Sequence, residues 1–247
     1  MTDLMIFIAI GFVAQIINGS LGMSYGTLSV AMLLTMGVHP VIASTSVHIS
    51  KAVTGYASGI SHWKLGNVDQ ELAFKLIFGG VAGGIVGAFV LMMMPDRLLT
   101  PLIAFYLLST GLTICFRSLS KSVIKYADVE ALSLGALGGF VDAVGGGGWG
   151  PVVTSTLLSK GHNPHRAIGS VSFAEAFVAT AITVVLLSHV SFASMNWSLV
   201  VGLMIGGVGA APLAAYLCDK LPVQRLSFAV GTLVVLLSVT MLGGILL

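Results

Sequence analysis

Residues Gly135 to Pro151 read GALGGFVDAVGGGGWGP: four consecutive glycines (Gly145 to Gly148), Asp142 three residues before them, and Trp149-Gly150-Pro151 straight after. Glycine costs about 1 kcal/mol relative to Ala in a helix interior, so four in succession break any helix that reaches them. The surrounding sequence is apolar. A helix break at membrane depth frees backbone N–H and C=O groups, which persist only where protein or a water-filled cavity satisfies them. The stretch has a partner 124 residues earlier: Gly11 to Thr27, GFVAQIINGSLGMSYGT, is a second small, polar interruption in apolar sequence. Paired broken helices are how secondary transporters build a substrate site.

Composition agrees with a membrane setting. The chain is 56% hydrophobic and 8% charged, with mean hydropathy +1.03, against roughly 25% charged residues in a soluble domain. The apolar runs are long and do not alternate, which excludes an outer-membrane barrel and predicts an all-α polytopic protein. A net charge of +2 gives no reason to expect nucleic acid as a partner. Cys115 and Cys218 have no Cys/His cluster near them, so neither a metal site nor a disulfide framework is expected, and no cofactor. The first residues lack the basic region of a cleavable signal, so the first apolar segment is expected to stay in the mature protein. No HExxH, GxSxG or Ser/His/Asp order suggests an enzyme.

Eight apolar segments run over residues 4–36, 41–60, 72–93, 98–116, 129–159, 166–187, 196–217 and 224–246. The first and fifth have about thirty residues with the break inside, and a crossing needs roughly 20. Leu4 to Asn18 as a helix would rise about 22 Å, so each half is expected to dip in and stop. Beyond the breaks, Gly22 matches Gly146, Gly26 matches Gly150, Gly37 matches Gly161 and Pro40 matches Pro164; after a three-residue insertion Gly79-Gly80-Val81 matches Gly206-Gly207-Val208 and Pro95 matches Pro222. The expectation is a duplicated unit, 1–124 and 125–247, each a glycine-broken re-entrant hairpin (4–36 and 129–159) followed by three crossings. If all eight segments crossed, the Lys and Arg outside the second segment would split evenly. With hairpins, Lys64, Lys75, Arg117, Lys121, Lys125, Lys160, Arg166, Lys220 and Arg225 share one side against Arg97 alone. The positive-inside rule then favours hairpins, periplasmic termini and a second repeat inverted relative to the first.

Lys51 lies near the middle of the second segment, where a charge costs at least about 2.5 to 3.5 kcal/mol on insertion scales, and its repeat mate is Glu175. The two could be a structural ion pair or part of a substrate site. Asp142, matched to Asn18, could serve a coupling ion, proton or sodium, or simply cap the broken backbone. His48 sits one turn from Lys51, whereas His39, His62, His162, His165 and His189 fall near segment ends and read as interfacial. Trp63, Tyr126 and Trp197 read as interface anchors. Second half-helices are expected to begin at Tyr25-Gly26-Thr27 and Trp149-Gly150-Pro151. Their N-termini, with Asn18, Ser20, Ser24, Gly146, Gly147 and Gly148, would offer N–H groups and hydroxyls to a small anion. Close packing is the plain alternative for the glycines and certain for Gly79 to Gly84; it is the weaker alternative for Gly145 to Gly148.

Two repeats opening on GFVAQIINGSLGMSYG and GALGGFVDAVGGGGWGP and continuing into Ala43-Ser44-Thr45-Ser46 and Ala167-Ile168-Gly169-Ser170 resemble the sulfite exporter TauE/SafE family, also called toluene sulfonate uptake permeases. The first repeat departs from the family with Gln15, Asn18, Ser20 and Met23 in place of more glycine. The resemblance implies transport of sulfite, sulfoacetate or another organosulfonate in the bacterial inner membrane; with the paired broken helices, a gradient-coupled secondary transporter is expected. The helix-terminus reading independently gives a small anion; sulfur comes only from the resemblance. An anion channel and a non-transporting scaffold are the other readings, and a homodimer is open.

Overall fold

The structure, a computed structural model, describes residues 2–119, 130–218, 220 and 223–246. Within them the chain is all helical: α1 (Thr2–Leu21), α2 (Tyr25–Thr35), α3 (Pro40–Lys64), α4 (Gln70–Met93), α5 (Asp96–Leu119), α6 (Ala131–Gly145), α7 (Trp149–Ser159), α8 (Pro164–Leu187), α9 (Trp197–Leu217) and α10 (Val223–Leu246). Six of these, α1, α4, α5, α8, α9 and α10, are long and apolar enough to cross a bilayer, and α2 and α6 are shorter apolar helices. The protein is a polytopic helical membrane protein. Lys121, Lys125, Tyr126 and Pro222 lie outside the described residues.

Local chemistry sets the boundaries. Pro40 and Pro164 sit in the first turns of α3 and α8, where a missing N–H is harmless. Asp69 accepts from Leu72 N at 3.1 Å, Asn196 from Leu199 N at 3.2 Å, and Asn163 from the N–H groups of His165 and Arg166. At the far ends of α2 and α7, Gly37 and Gly161 both take φ of +81°. Val38 N then reaches Leu33 O and His162 N reaches Leu157 O, the same glycine stop on both helices.

The two interruptions are also alike. Gly22 (φ +69°) ends α1 and Gly146 (φ +73°) ends α6, and α2 and α7 restart at Tyr25 and Trp149 as the sequence predicts. One expectation needs correcting: α1 does not stop at Asn18. Asn18, Gly19 and Ser20 are helical, and the 20 residues of α1 rise about 30 Å, enough to cross by length. The break falls at Gly22, where glycine takes the left-handed φ of +69° without steric cost, and Ser24 follows it in the left-handed region at φ +96°.

Helix pairs approach through glycines. Side-chain methyls at Gly79 and Gly83 of α4 would overlap the carbonyls of Leu132 and Ala136 on α6, and one at Gly206 of α9 would overlap Ile8 O on α1. Gly55 meets Ala176 between α3 and α8, and Gly111 meets Gly231 between α5 and α10. Without a hydrophobic drive between helices in lipid, such close approach supplies the packing energy. The centre is the α3 and α8 pair, with α4 beside α8 and α9 beside α3. Helix α3 is the least apolar of the long helices, because Ser44, Thr45, Ser46, His48, Ser50, Lys51, Thr54 and Ser58 are all buried in it. Outward faces carry Phe78, Phe105, Phe116 and Val184 toward the surrounding lipid.

Candidate functional site

Four helices converge on Lys51. Its ammonium donates to both carboxylate oxygens of Asp142 at 2.8 Å and pairs with Glu175 Oε1 at 3.1 Å. Lys51, Asp142 and Glu175 are all buried. Glu175 Oε2 accepts the Asn18 side-chain amide at 2.9 Å. His48, one turn before Lys51 on α3, places Nε2 3.4 Å from Asp142 Oδ2, while its Nδ1 lies 2.8 Å from Ser44 O.

The carboxyl and amide groups also hold the breaks. Asp142 Oδ1 accepts Trp149 N–H at 3.0 Å, and Asn18 Oδ1 accepts Tyr25 N–H at 3.4 Å. Each thus caps the first orphan donor of the helix beyond its own break. The cap, one of the two readings of Asp142 in the sequence beside a coupling role, is made by the same carboxylate that pairs with Lys51. Lys51 and Glu175 do meet, but Lys51 makes its closer contacts to Asp142.

The remaining candidates divide. The Tyr25 ring is buried, with its hydroxyl donating to Leu203 O at 3.3 Å, and the Trp149 indole is buried against Gly80 and Val178, with Nε1 donating to Val171 O at 3.1 Å. Their backbone N–H groups bond to Asn18 and Asp142 of the cluster. Ser20 donates to the carbonyls of Ile16 and Ile17, and Thr27 to Ser24 O at 3.3 Å, so neither hydroxyl is a free donor; Ser24 Oγ is buried without a hydrogen-bond partner.

The glycines pack more tightly than expected. A methyl at Gly147 would overlap the backbone of Gly26 and Thr27, one at Gly150 would overlap Met23 and Gly22, and one at Gly145 would overlap the Tyr106 ring. Gly146 adds its positive φ, and Gly148 faces the Tyr106 hydroxyl. Each of the four is therefore needed for close approach as well as for the break. Packing, the weaker reading in sequence, holds here because the crowding atoms come from α2 and α5, remote in the chain.

His62 is also corrected. It is fully buried, with Nε2 2.9 Å from Gly19 O at the end of α1, because α3 runs on to Lys64 and keeps His62 inside the bundle. Trp63 and Trp197 are exposed, as interface anchors would be. Sequence reading missed His62 and Tyr106. Tyr106 has no aromatic counterpart at the matching position of the second half, Leu233, and so carries no repeat signal. Among the described residues, no group of three or more His, Cys, Asp or Glu could hold a metal ion.

No solved structure matches the chain. The chain is 39% identical over 246 residues, 96% of its own length and 82% of the relative's, to the probable membrane transporter protein YtnM of Bacillus subtilis (strain 168). Residues 7–241 match the family model for sulfite exporter TauE/SafE. Matched over almost its whole length, the chain belongs to the TauE/SafE family and is a membrane transporter rather than an enzyme.

Proposed function

We propose that this transporter moves a small sulfur-containing oxyanion, sulfite or an organosulfonate such as sulfoacetate, across the inner membrane, driven by an ion gradient. The observation that carries the reading is the buried Lys51 ammonium held between Asp142 and Glu175, beside the first turns of two half-helices. A dehydrated anion needs a full positive charge, and helix termini add roughly half a charge each. Lys51 supplies that charge, and Asp142 orients it. Asn18, Ser24, the backbone of Tyr25, Gly26 and Thr27, and that of Gly146 to Gly150 form the rest of the site, with His48 at its edge.

The site belongs, in this reading, to two inverted repeats, 1–124 and 125–247, whose hairpins α1/α2 and α6/α7 meet back to back with both chain termini in the periplasm. Reciprocal contacts support it: Gly26 lies against Gly147, and Gly150 lies against Met23, which are matched positions of the two halves. So does the sharing of partners, since Asp142 meets Lys51 while its mate Asn18 meets Glu175, the mate of Lys51. Between the breaks the backbone of one hairpin touches that of the other, Gly26 against Gly147. Flux of labelled sulfite, sulfoacetate and chloride into proteoliposomes, with and without imposed gradients, tests the proposal. Gradient-dependent uptake of the sulfur anions is expected; uptake of chloride alone, or flux indifferent to any ion gradient, would refute it.

A further inference from the structure

We infer that the coupling ion is a proton and that Glu175, not Asp142, carries it. The buried cluster contains one lysine and two carboxylates, with His48 and the phenols of Tyr25 and Tyr106 nearby, so with both carboxylates ionised and His48 and both phenols neutral it holds one negative charge in excess. A site in that state repels an anion. Adding one proton removes the excess, and a monovalent anion, bisulfite or a monosulfonate, then restores the charge the empty site already carried. Buried charge is thus the same in the empty and the proton-plus-anion states, which is the condition for both to be accessible in a low-dielectric interior.

Geometry decides between the carboxylates. Asp142 receives Lys51 on both oxygens, the Trp149 N–H, and the His48 ring at 3.4 Å, all of which favour its ionised form. Glu175 has a single ionic contact, at 3.1 Å, and one neutral amide from Asn18. The asymmetry is built into the sequence: where one half places a carboxylate at the end of its broken helix, the other places an amide, so Glu175 lacks the charge balance that Lys51 enjoys. From the elements around α8, α3 presents Lys51 and His48, α1 presents the neutral Asn18, and α2 presents the Tyr25 phenol, which donates to Leu203 O. Helix α7 has no charged residue, and Glu71 and Lys75 of α4 pair with each other at the surface. Among the described residues, Lys51 is the one charged partner of Glu175, and the Asn18 amide is its other donor.

Protonation would convert Glu175 from acceptor to donor and leave Lys51 one ionic partner short. An oxyanion can fill both needs, accepting from Lys51 and from the new carboxyl O–H. The proton arrives from water on one side and departs to water on the other, and no other bond is made or broken. Sodium fits poorly, because the place between the carboxylates where it would bind is occupied by the Lys51 ammonium.

The proton site is independent of any substrate; its coupling rests on the anion reading above. Infrared difference spectra of the reconstituted protein, recorded across a pH drop, test both. A carboxylic-acid C=O band should appear on acidification, move to lower pH in Asp142→Asn, where Glu175 alone balances Lys51, and vanish in the near-isosteric Glu175→Gln, with size-exclusion profiles confirming folded variants. Asn18→Asp, which adds a second carboxylate beside Glu175, should move the band to higher pH. Persistence of the band in Glu175→Gln, or its loss only in Asp142→Asn, overturns the assignment. Methanesulfonate, a strong-acid anion that brings no proton of its own, should strengthen the band and carry about one proton per anion into proteoliposomes, with sodium replaceable by choline. A titrating Glu175 band that ignores methanesulfonate would leave the proton site standing and refute its coupling to the anion; methanesulfonate flux without proton movement, or dependent on sodium, would overturn proton coupling while sparing the anion reading.

Discussion

Asn18 and Asp142 hold equivalent posts at the ends of two broken helices: Asn18 accepts the backbone N–H of Tyr25 at 3.4 Å, and Asp142 accepts that of Trp149 at 3.0 Å. One is neutral and the other charged. The cap is therefore common to both halves, while the ion pair with Lys51 belongs to one, and the two contributions can be separated by mutation.

Asp142→Asn retains an acceptor for Trp149 N–H and leaves Glu175 as counter-charge to Lys51, whereas Asp142→Ala removes cap and charge together. Breaking a buried pair costs about 3 to 5 kcal/mol, and losing a cap about 1 kcal/mol. Asp142→Ala should melt clearly below Asp142→Asn in detergent, and Asp142→Asn should stay folded while losing gradient-driven flux more than passive exchange. Equal melting of the two variants would mean that the cap is unimportant.

The contact of Gly147 with Gly26 and Thr27 closes the space between the breaks, and no side chain fits there. Gly147→Ala should lose transport by tenfold or more. Gly161→Ala, at a position with φ of +81° and nothing within 4 Å, should cost only about 1 kcal/mol of stability and leave transport near wild type. Transport rates for both variants, normalised to folded protein, check this; unimpaired Gly147→Ala would show that the close approach is dispensable.

The hairpin topology proposed above predicts which side each loop faces. His162 and Ser188 are exposed at opposite ends of α8. In a background lacking Cys115 and Cys218, a cysteine at His162 should react with impermeant thiol reagents only from the cytoplasm, and one at Ser188 only from the periplasm. Labelling of both from one face would contradict the hairpin topology.

Much of this was legible in the sequence, for identifiable reasons. The restarts at Tyr25 and Trp149 were readable because glycine runs act locally on the backbone, and Lys51 and Glu175 stood out because charge is expensive at membrane depth. What each glycine touches was not readable, since Tyr106 and Gly26 reach Gly145 and Gly147 from distant segments. The Lys51 to Asp142 pair was hidden for the same reason: depth can be counted along a helix, but which faces of three helices converge depends on their packing. His62 misled because the apolar run ends at residue 60 while α3 continues to Lys64.

The central claim is that Lys51 is the charge that binds the anion, and neutralising the whole cluster tests it without stranding a buried carboxylate. Lys51→Met alone leaves two acids unpaired and is expected to express poorly. Combined with Asp142→Asn and Glu175→Gln, it leaves a neutral cluster of nearly unchanged shape. Calorimetric binding of sulfite and sulfoacetate to the purified proteins is the measurement. The account predicts that Glu175→Gln binds at least as tightly as wild type and that the folded triple variant loses binding by a hundredfold or more; wild-type affinity in the triple variant would contradict it.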